Sequence, residues 1–592
     1  MKQVLFAVAV LSILLSFCFS AHQGRSIAHH SSLASVVIVD DGGSIQEAIN
    51  DAPEGSTILV GNGTFNEHLE ITKPLKIYGS GAASTILRSD WTGDVVLVYR
   101  ANNVTFSGFQ IEGTVGSFAS GIHIKQSQHI QILNNSVSDN RYGIYFWDSS
   151  NVTMRNNSMI NNSWNFGIWG LLIEHFLHCI DNSNTVDYRS ICYWINQENK
   201  TVPSNAGYLG LVNSTNIVVN NLNFSRNFQG ILSVHSTNIT FQGNIFRNNY
   251  YGIHMAYISN NNTIIQNAFS SNTVGVMLDL SSRNCIEKNV FSGNTKGLTL
   301  SYSPLAPNLQ CVENYINQNN FTQNNDGIMV LNSTRNTFCG NLITSSTRYG
   351  VILSSGSCAN SFYGNTILSS NYGLAIQRSN DNTIYNNNFI NNVQHVYTET
   401  STNTWNSTKN IGGNFWSNTI TLDTDLDGIS DLPYEIDTLN VDRHPLAGRF
   451  YNHTFSWKGQ SFFLTSISNS SDLHFEFIPQ ESKAILDFSG LDKTIGFCRA
   501  NLPKNLVQTF WDENLTILVN YEHPSYMRSW EDSFSVYLYF YISHPASQVV
   551  IIPEFSSPLL LIKVLSLVFL FRNAIAVKKH SKAVSRNKEF AA

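Results

Sequence analysis

Charge is scarce in this chain. Asp, Glu, Lys and Arg make up 13% of its 592 residues, against about 25% in an average soluble domain. Asn, Ser and Thr must solvate the surface in their place. The net charge is −6 and no basic run lies within the body of the chain, which argues against a nucleic-acid partner. The Ala, Leu and Glu bias of helical hairpin repeats is also missing from the stretch between residues 229 and 397, which is rich in Val, Ile, Phe, Thr and Asn instead. Cysteine is rare and its count is odd: leaving aside Cys18, seven remain, so at least one has no partner within a monomer.

What is present is a repeat. A glycine followed by alternating apolar residues recurs at Gly230, Gly252, Gly275, Gly297, Gly327, Gly350 and Gly373, in steps of 22, 23, 22, 30, 23 and 23. A second phrase, asparagine, any residue, then a bulky apolar one, keeps pace at Asn244, Asn267, Asn289, Asn319, Asn341, Asn365 and Asn387. The period is shorter than the roughly 33 to 47 residues of helical repeats. Strict alternation after each glycine, as in Ile253 with Met255 and Val276 with Leu278, marks strands with one buried face. Three short strands fill such a unit, which predicts one coil of a parallel β-helix per repeat. The fixed offset of the asparagines predicts a ladder of side-chain amides along the axis.

The remainder divides around these coils. Lys2, the apolar run Val4 to Phe19 and small Ser20 and Ala21 read as an export signal over residues 1–21. Sequons such as Asn62-Gly-Thr and Asn238-Ile-Thr suit a secreted glycoprotein. Ser44 and Glu47 form a capping box ahead of Ile45, Ala48, Ile49 and Ala52. This predicts a short helix covering the open end of a solenoid over 36–411. The rhythm breaks over 170–207, an insertion expected to project from the scaffold, where Cys179 and Cys192 are the preferred disulfide. Asparagine falls from 49 of the 250 residues over 151–400 to 14 of the 192 beyond, which marks the end of the coils. In an acidic segment over 412–447, Asp423, Asp425, Asp427, Gly428 and Asp431 match the first half of a calcium loop, with Tyr434 where the closing Glu belongs. Residues 450–552 read as a small antiparallel β-sandwich. The apolar run 556–577 and the basic tail 578–592 read as a membrane anchor with its tail inside, despite Lys563 and Arg572.

The coils, the insertion text HFLHCIDNSNTVDYRSICYWINQENKTVPSNAGYLGLVNSTNI and the block GGNFWSN with DLDGISDLPY together resemble the NosD-like proteins of the right-handed parallel β-helix superfamily. The resemblance implies an all-β, pectin-lyase-like right-handed solenoid associated with carbohydrate binding and sugar hydrolysis. The carboxyl end, Pro553-Glu554-Phe555 before an apolar run and basic residues, resembles archaeal surface proteins with sorting-type anchors. The paired aspartates of polygalacturonases, the Asp-Pro-His of mannuronan epimerases and the Arg-x-Pro-x-x-Arg of pectate lyases are all missing from the coils. NosD itself is linked to copper delivery, but the seven methionines here are scattered and no Cys-Met-His cluster suits copper. His175 and His178 come nearest to one.

If the first and third residues after each glycine point inward, the second and fourth point out. His123, Lys125, Tyr145, Trp147 and Trp169 then share one outer sheet as a candidate sugar-binding row with His175 beside it. The row stands open unless the inserted stretch folds over it. Asp148 and Glu174 are the carboxylates nearest to it, and an inverting hydrolase would need such a pair about 6.5 to 9.5 Å apart. Three classes follow. The favoured one is a membrane-anchored protein on the extracellular face of the cell envelope, binding polysaccharide or envelope glycan without catalysis. The alternatives are a polysaccharide lyase, epimerase or hydrolase working in the groove, and a NosD-like copper-accessory protein or rigid stalk.

Overall fold

The computed structural model of the protein describes residues 34–89, 93–113, 116, 119–302, 309–512 and 514–554. The expected export signal, apolar run 556–577 and basic tail lie outside these. A short helix, Ile45–Asp51, buries Ile45 and Ile49 against the first rung. Ser44 caps it by accepting from the Glu47 amide at 3.1 Å. The reciprocal half of the capping box comes from elsewhere. The Glu67 carboxylate accepts the Ile45 and Gln46 amides at 2.8 and 2.9 Å and the Ser44 hydroxyl at 2.8 Å, tying the cap to the rung below it.

Beyond the helix the chain winds into an all-β right-handed parallel β-helix. Residues one and three after each glycine do point inward. Ile122, Ile124, Ile144, Phe146, Ile253 and Met255 are fully buried. The glycines are required by close approach: a Cβ at Gly275 would sit 2.5 Å from the Gly297 carbonyl oxygen of the next rung, well inside van der Waals contact.

The amide ladder is present and longer than the phrase implied. From Asn244 through Asn267, Asn289, Asn319, Asn341, Asn365 and Asn387 to Asn414, each Nδ2 donates to the next Oδ1 at 2.8 to 3.0 Å. A second full ladder runs from Asn262 through Asn284, Asn314, Asn336, Asn360 and Asn382 to Asn403. A third joins Asn249, Asn272, Asn294 and Asn324. Along these ladders the rung turns are closed by buried amides that satisfy one another from rung to rung.

The stretch 170–207 is not a projecting loop. Cys179–Ile180 and Thr185–Val186 complete one more rung, pairing in parallel with Thr153–Arg155 and Ser158–Ile160. The chain then reverses in a single antiparallel step, Val186 opposite Arg189. This reversal changes the face that carries the glycine phrase. Before it, the glycine-led strands Ser120–Lys125, Tyr142–Trp147 and Trp164–Trp169 close a five-stranded sheet. After it they extend a different sheet, sixteen strands long, from Gly63–Asn66 to Gln394–Glu399. The reversal also carries Cys179 and Cys192 to different sheets, so the expected disulfide is corrected: both are free, one exposed and one buried. The edge of the five-stranded sheet is met first by backbone: the Asn165 amide donates to the Arg226 carbonyl at 2.6 Å and the Phe228 amide to the Phe166 carbonyl at 2.9 Å. Gln229 accepts the Ile168 amide at 3.3 Å and donates to the Ile168 carbonyl at 2.7 Å, standing in for the missing next strand.

The carboxyl-terminal region is antiparallel. A five-stranded sheet, including Arg449–Trp457, Gln460–Ser468 and Ser535–Ser543, and a four-stranded sheet, including Lys483–Ser489 and Leu515–Val519, share one core with the helix Lys504–Trp511. Asn388 on the solenoid clips this region in place, its amide bonded both ways to the Phe450 backbone at 2.8 Å.

Replacing Asn289 with Ala should lower stability by about 3 kcal/mol, because it orphans the Asn267 amide and the Ile264 carbonyl at roughly 1 to 3 kcal/mol each. The exposed Asn223→Ala change should stay within about 0.5 kcal/mol. Denaturant midpoints of the two variants check the contrast.

Candidate functional site

The register places the outward residues as expected. His123 lies opposite Tyr145, Lys125 opposite Trp147, and Trp147 opposite Trp169. Their exposures separate them into two sets. Trp147 is 40% exposed, whereas His123 and Tyr145 are buried. The cover comes mainly from the rungs after the reversal: Phe228 packs edge-on against Tyr145 at 5.2 Å and lies 5.8 Å from Tyr142, with Tyr251 alongside Phe228.

His123 is held by a residue that sequence reasoning missed. Its Nδ1 lies 2.8 Å from Asp94 Oδ2, while Asp94 Oδ1 accepts the Ser120 amide at 2.7 Å. A carboxylate only accepts, so in the neutral ring the proton sits on Nδ1 and the lone pair on Nε2. Nε2 is buried and has no hydrogen-bond partner among the described residues. The Tyr145 ring stands 5.4 Å from the imidazole. Burial pushes the Tyr145 phenol well above its ordinary range, with the neighbouring Tyr142 adding to it, so it remains protonated at neutral pH. Beside this pair, the Lys125 ammonium lies 5.5 Å from both the Tyr99 and the Trp147 rings. Asp94 precedes the irregular strand Val96–Tyr99, where no repeat exists to betray its position.

A second group gathers where the two sheets meet. Trp169 stacks on His254 at 5.7 Å, and His254 on Tyr251 at 4.8 Å. Burial holds the His254 imidazole down to about 4, so it is neutral at pH 7. Asp148 faces His175, with Oδ1 3.3 Å from Nδ1. The same Nδ1 is 3.1 Å from the Leu171 amide, and it donates to Asp148 only when it carries the proton itself. Glu174 is exposed on the 3-10 turn Ile173–Phe176, so the carboxylate that Asp148 meets is replaced by an imidazole. Burial also raises the Asp279 carboxyl, on the strand next to that of His254, to about 6. His178 is structural: it bonds the His175 carbonyl at 2.9 Å and accepts the Val152 amide at 3.3 Å.

The acidic loop brings three of its four expected ligands together. Carboxylate oxygens of Asp423, Asp425 and Asp427 lie within 4.8 Å of one another, the one such grouping of His, Cys, Asp or Glu among the described residues. Lys409 reaches Asp425 and Asp427 at 3.2 and 3.5 Å. Asp431 turns instead to Thr424, accepting from its amide at 2.8 Å and its hydroxyl at 2.6 Å.

Residues 195–371 and 358–420 match the family described as "Periplasmic copper-binding protein (NosD)", and residues 77–190 match "Right handed beta helix region". No curated protein matches the chain significantly. Among solved structures, the mannuronan C-5 epimerase AlgE6 A-module of Azotobacter vinelandii is similar at 12% identity, over 60% of this chain and 93% of that one, with a TM-score of 0.25. An alginate lyase from Paenibacillus sp. str. FPU-7 is similar at 15% identity, over 56% and 94%, with a TM-score of 0.24. The catalytic domain of a GH87 α-1,3-glucanase is similar at 13% identity, over 61% and 66%, with a TM-score of 0.25. At such identities the likeness concerns the fold.

Two expectations are corrected here. No helix among the described residues is long and apolar enough to cross a membrane, so the expected membrane anchor, and the membrane as a partner, have no support among them; the run 556–577 on which that expectation rested lies outside the described residues. The favoured non-catalytic binder is not carried by the comparisons either, whose named solved structures include an epimerase, a lyase and a glucanase. Nor do the matches carry the archaeal surface-protein resemblance or its Pro-Glu-Phe anchor. They and the coordinates agree on one thing: this chain carries a NosD-type, right-handed parallel β-helix domain.

Proposed function

We propose that the protein is an exported, envelope-located enzyme acting on a polysaccharide, and that it works by proton abstraction, as a uronate lyase or epimerase, on the outer face of the five-stranded sheet. The observation that carries this reading is the His123 imidazole, fixed by Asp94 at 2.8 Å through Nδ1, with a desolvated Nε2 that has no partner among the described residues and the Tyr145 ring 5.4 Å away. Nε2 takes the proton next to the uronate carboxylate. Lys125 neutralises the carboxylate, whose charge grows as the proton leaves. The Tyr145 phenol supplies a proton, to the departing glycosidic oxygen in a lyase or to the opposite face of the sugar in an epimerase. Trp147 and Tyr99 offer ring faces on which pyranoses stack. Hydrolysis is less well served, because it needs two carboxylates across one bond and Asp148 meets His175 instead.

His123→Gln should lower turnover of the susceptible uronan by about 10² to 10⁴-fold with an unchanged melting temperature. The ultraviolet absorbance of unsaturated ends reads the lyase, and solvent deuterium incorporated into the polymer reads the epimerase. Neither signal from wild-type protein on alginate, polygalacturonate and glucuronan would sink the proposal.

We also propose that Asp423, Asp425 and Asp427 hold Ca²⁺. Three carboxylates converging under a lysine form a site whose mutual repulsion a divalent cation relieves, and burial raises the Asp423 carboxyl to about 6. Oxygen ligands at alternate positions suit calcium. Adding millimolar Ca²⁺ should raise the melting temperature of wild-type protein and leave Asp425→Ala unmoved. Equal shifts in both would overturn the assignment.

A further inference from the structure

The cleft between the solenoid and the carboxyl-terminal sheets belongs to neither site above. It encloses about 590 Å³, inside the roughly 300 to 1,000 Å³ typical of small-ligand sites. One wall is the nine-stranded solenoid sheet. There Tyr315 stands two rungs from Tyr363, and Cys339 lies between them, in register with Tyr363. The Tyr363 ring stacks on Tyr385 of the next rung at 5.6 Å, and Tyr315 is 39% exposed. The other wall is the strand Gln460–Ser468. Phe462 and Leu464 on this strand are in the sheet core, so alternation turns Phe463 out into the cleft, where it is 50% exposed. Nothing in the packing of the sheets asks for an aromatic ring there. The two walls are held in fixed relation by the Asn388 amide clip on Phe450.

The lining is polar without net charge. Glu287 and Lys288 neutralise each other at 2.7 Å, and the other polar groups are amides and hydroxyls, among them Asn317, Gln318 and Asn452. Ring faces flanked by amide donors and acceptors suit pyranoses with their hydroxyls. With Lys288, the one cation among its described lining residues, already paired with Glu287, the cleft is poorly suited to an anionic sugar, in contrast with the Lys125 face. We propose that this cleft is a second carbohydrate-binding site, which takes a segment of a neutral glycan between Tyr315 and Phe463. It does not depend on the catalytic reading of His123.

Calorimetric titration of the full chain with cellohexaose, mannohexaose and xylohexaose, and with oligogalacturonate and oligomannuronate as acidic probes, tests this. At least one neutral probe should bind. Phe463→Ala and Tyr315→Ala, both at exposed positions, should each weaken it at least tenfold, while His123→Gln should leave it unchanged. Three results would overturn the proposal: no neutral probe binds, the neutral binding survives both aromatic changes, or only acidic probes are lost with Phe463. A change in oligomeric state on Phe463→Ala without loss of sugar binding would instead make the cleft an interface between copies.

Discussion

The fold depends on satisfying buried backbone at every turn of the coil. Each rung bends three times, and each bend leaves amides and carbonyls that no neighbouring strand can pair. An asparagine at the bend offers two donors and an acceptor in a fixed plane, and stacking it on its copy above and below satisfies the bends together. Asn289 shows the arithmetic: its Nδ2 contacts Asn319, the Ile264 carbonyl and the Glu287 carbonyl, while its Oδ1 accepts both the amide and the side chain of Asn267. A ladder of this kind tolerates no offset between rungs. That is why the glycine and asparagine phrases hold step across the 30-residue unit as well as the shorter ones.

The same demand explains the discontinuity that builds the candidate site. Where the chain reverses at Val186 and Arg189, the five-stranded sheet loses its next strand, and its open edge has to be paired by something else. The Arg226 and Phe228 backbone and the Gln229 side chain do so together, and Phe228, Tyr250 and Tyr251 close over the aromatics beside them. A uniform solenoid offers only a flat outer face. The change of face supplies a concave corner in which His123, Tyr145, Asp148 and His254 are screened from water, each on a rigid strand or at its end.

Much of this was legible because solenoid residues some 22 apart become neighbours by rule. The inward alternation, the pairing of Lys125 with Trp147 and the amide ladder all follow from period and register. The helix at Ile45 followed from local capping chemistry, although its second anchor, Glu67, lies on another rung and leaves no local mark. What stayed hidden lies where the rule is suspended. Asp94 sits ahead of an irregular early coil, so nothing in the spacing ties it to His123. The insertion looked like a loop because its first two strands are only two residues long and lack the glycine phrase, and the disulfide expected within it fails because the reversal parts the two cysteines between sheets. The cleft at Phe463 pairs residues nearly 150 positions apart on unrelated elements, which no periodicity could join.

Scarcity of charge is what gives the remaining ionisable groups their meaning. In a chain whose surface is solvated by amides and hydroxyls, a charged or titratable side chain held out of water must either be paired or be kept for chemistry. Asp326 takes the first course, fully buried against Arg348. Asp442 is similar, its carboxylate gathering the Asn414 amide at 2.7 Å and the Trp416 indole at 3.0 Å, which locks the last rung to the acidic segment. The His123 imidazole is different. One nitrogen is pinned as tightly as any structural histidine, while the other is desolvated and left without a partner, a cost of about 1 to 3 kcal/mol that packing alone would have removed by replacing the residue. His254 carries two such nitrogens, yet it is sandwiched between Trp169 and Tyr251 with nothing to orient its proton. The distinction lies in Asp94: its carboxylate orients the His123 ring through Nδ1 at 2.8 Å, whereas no such partner orients His254 among the described residues.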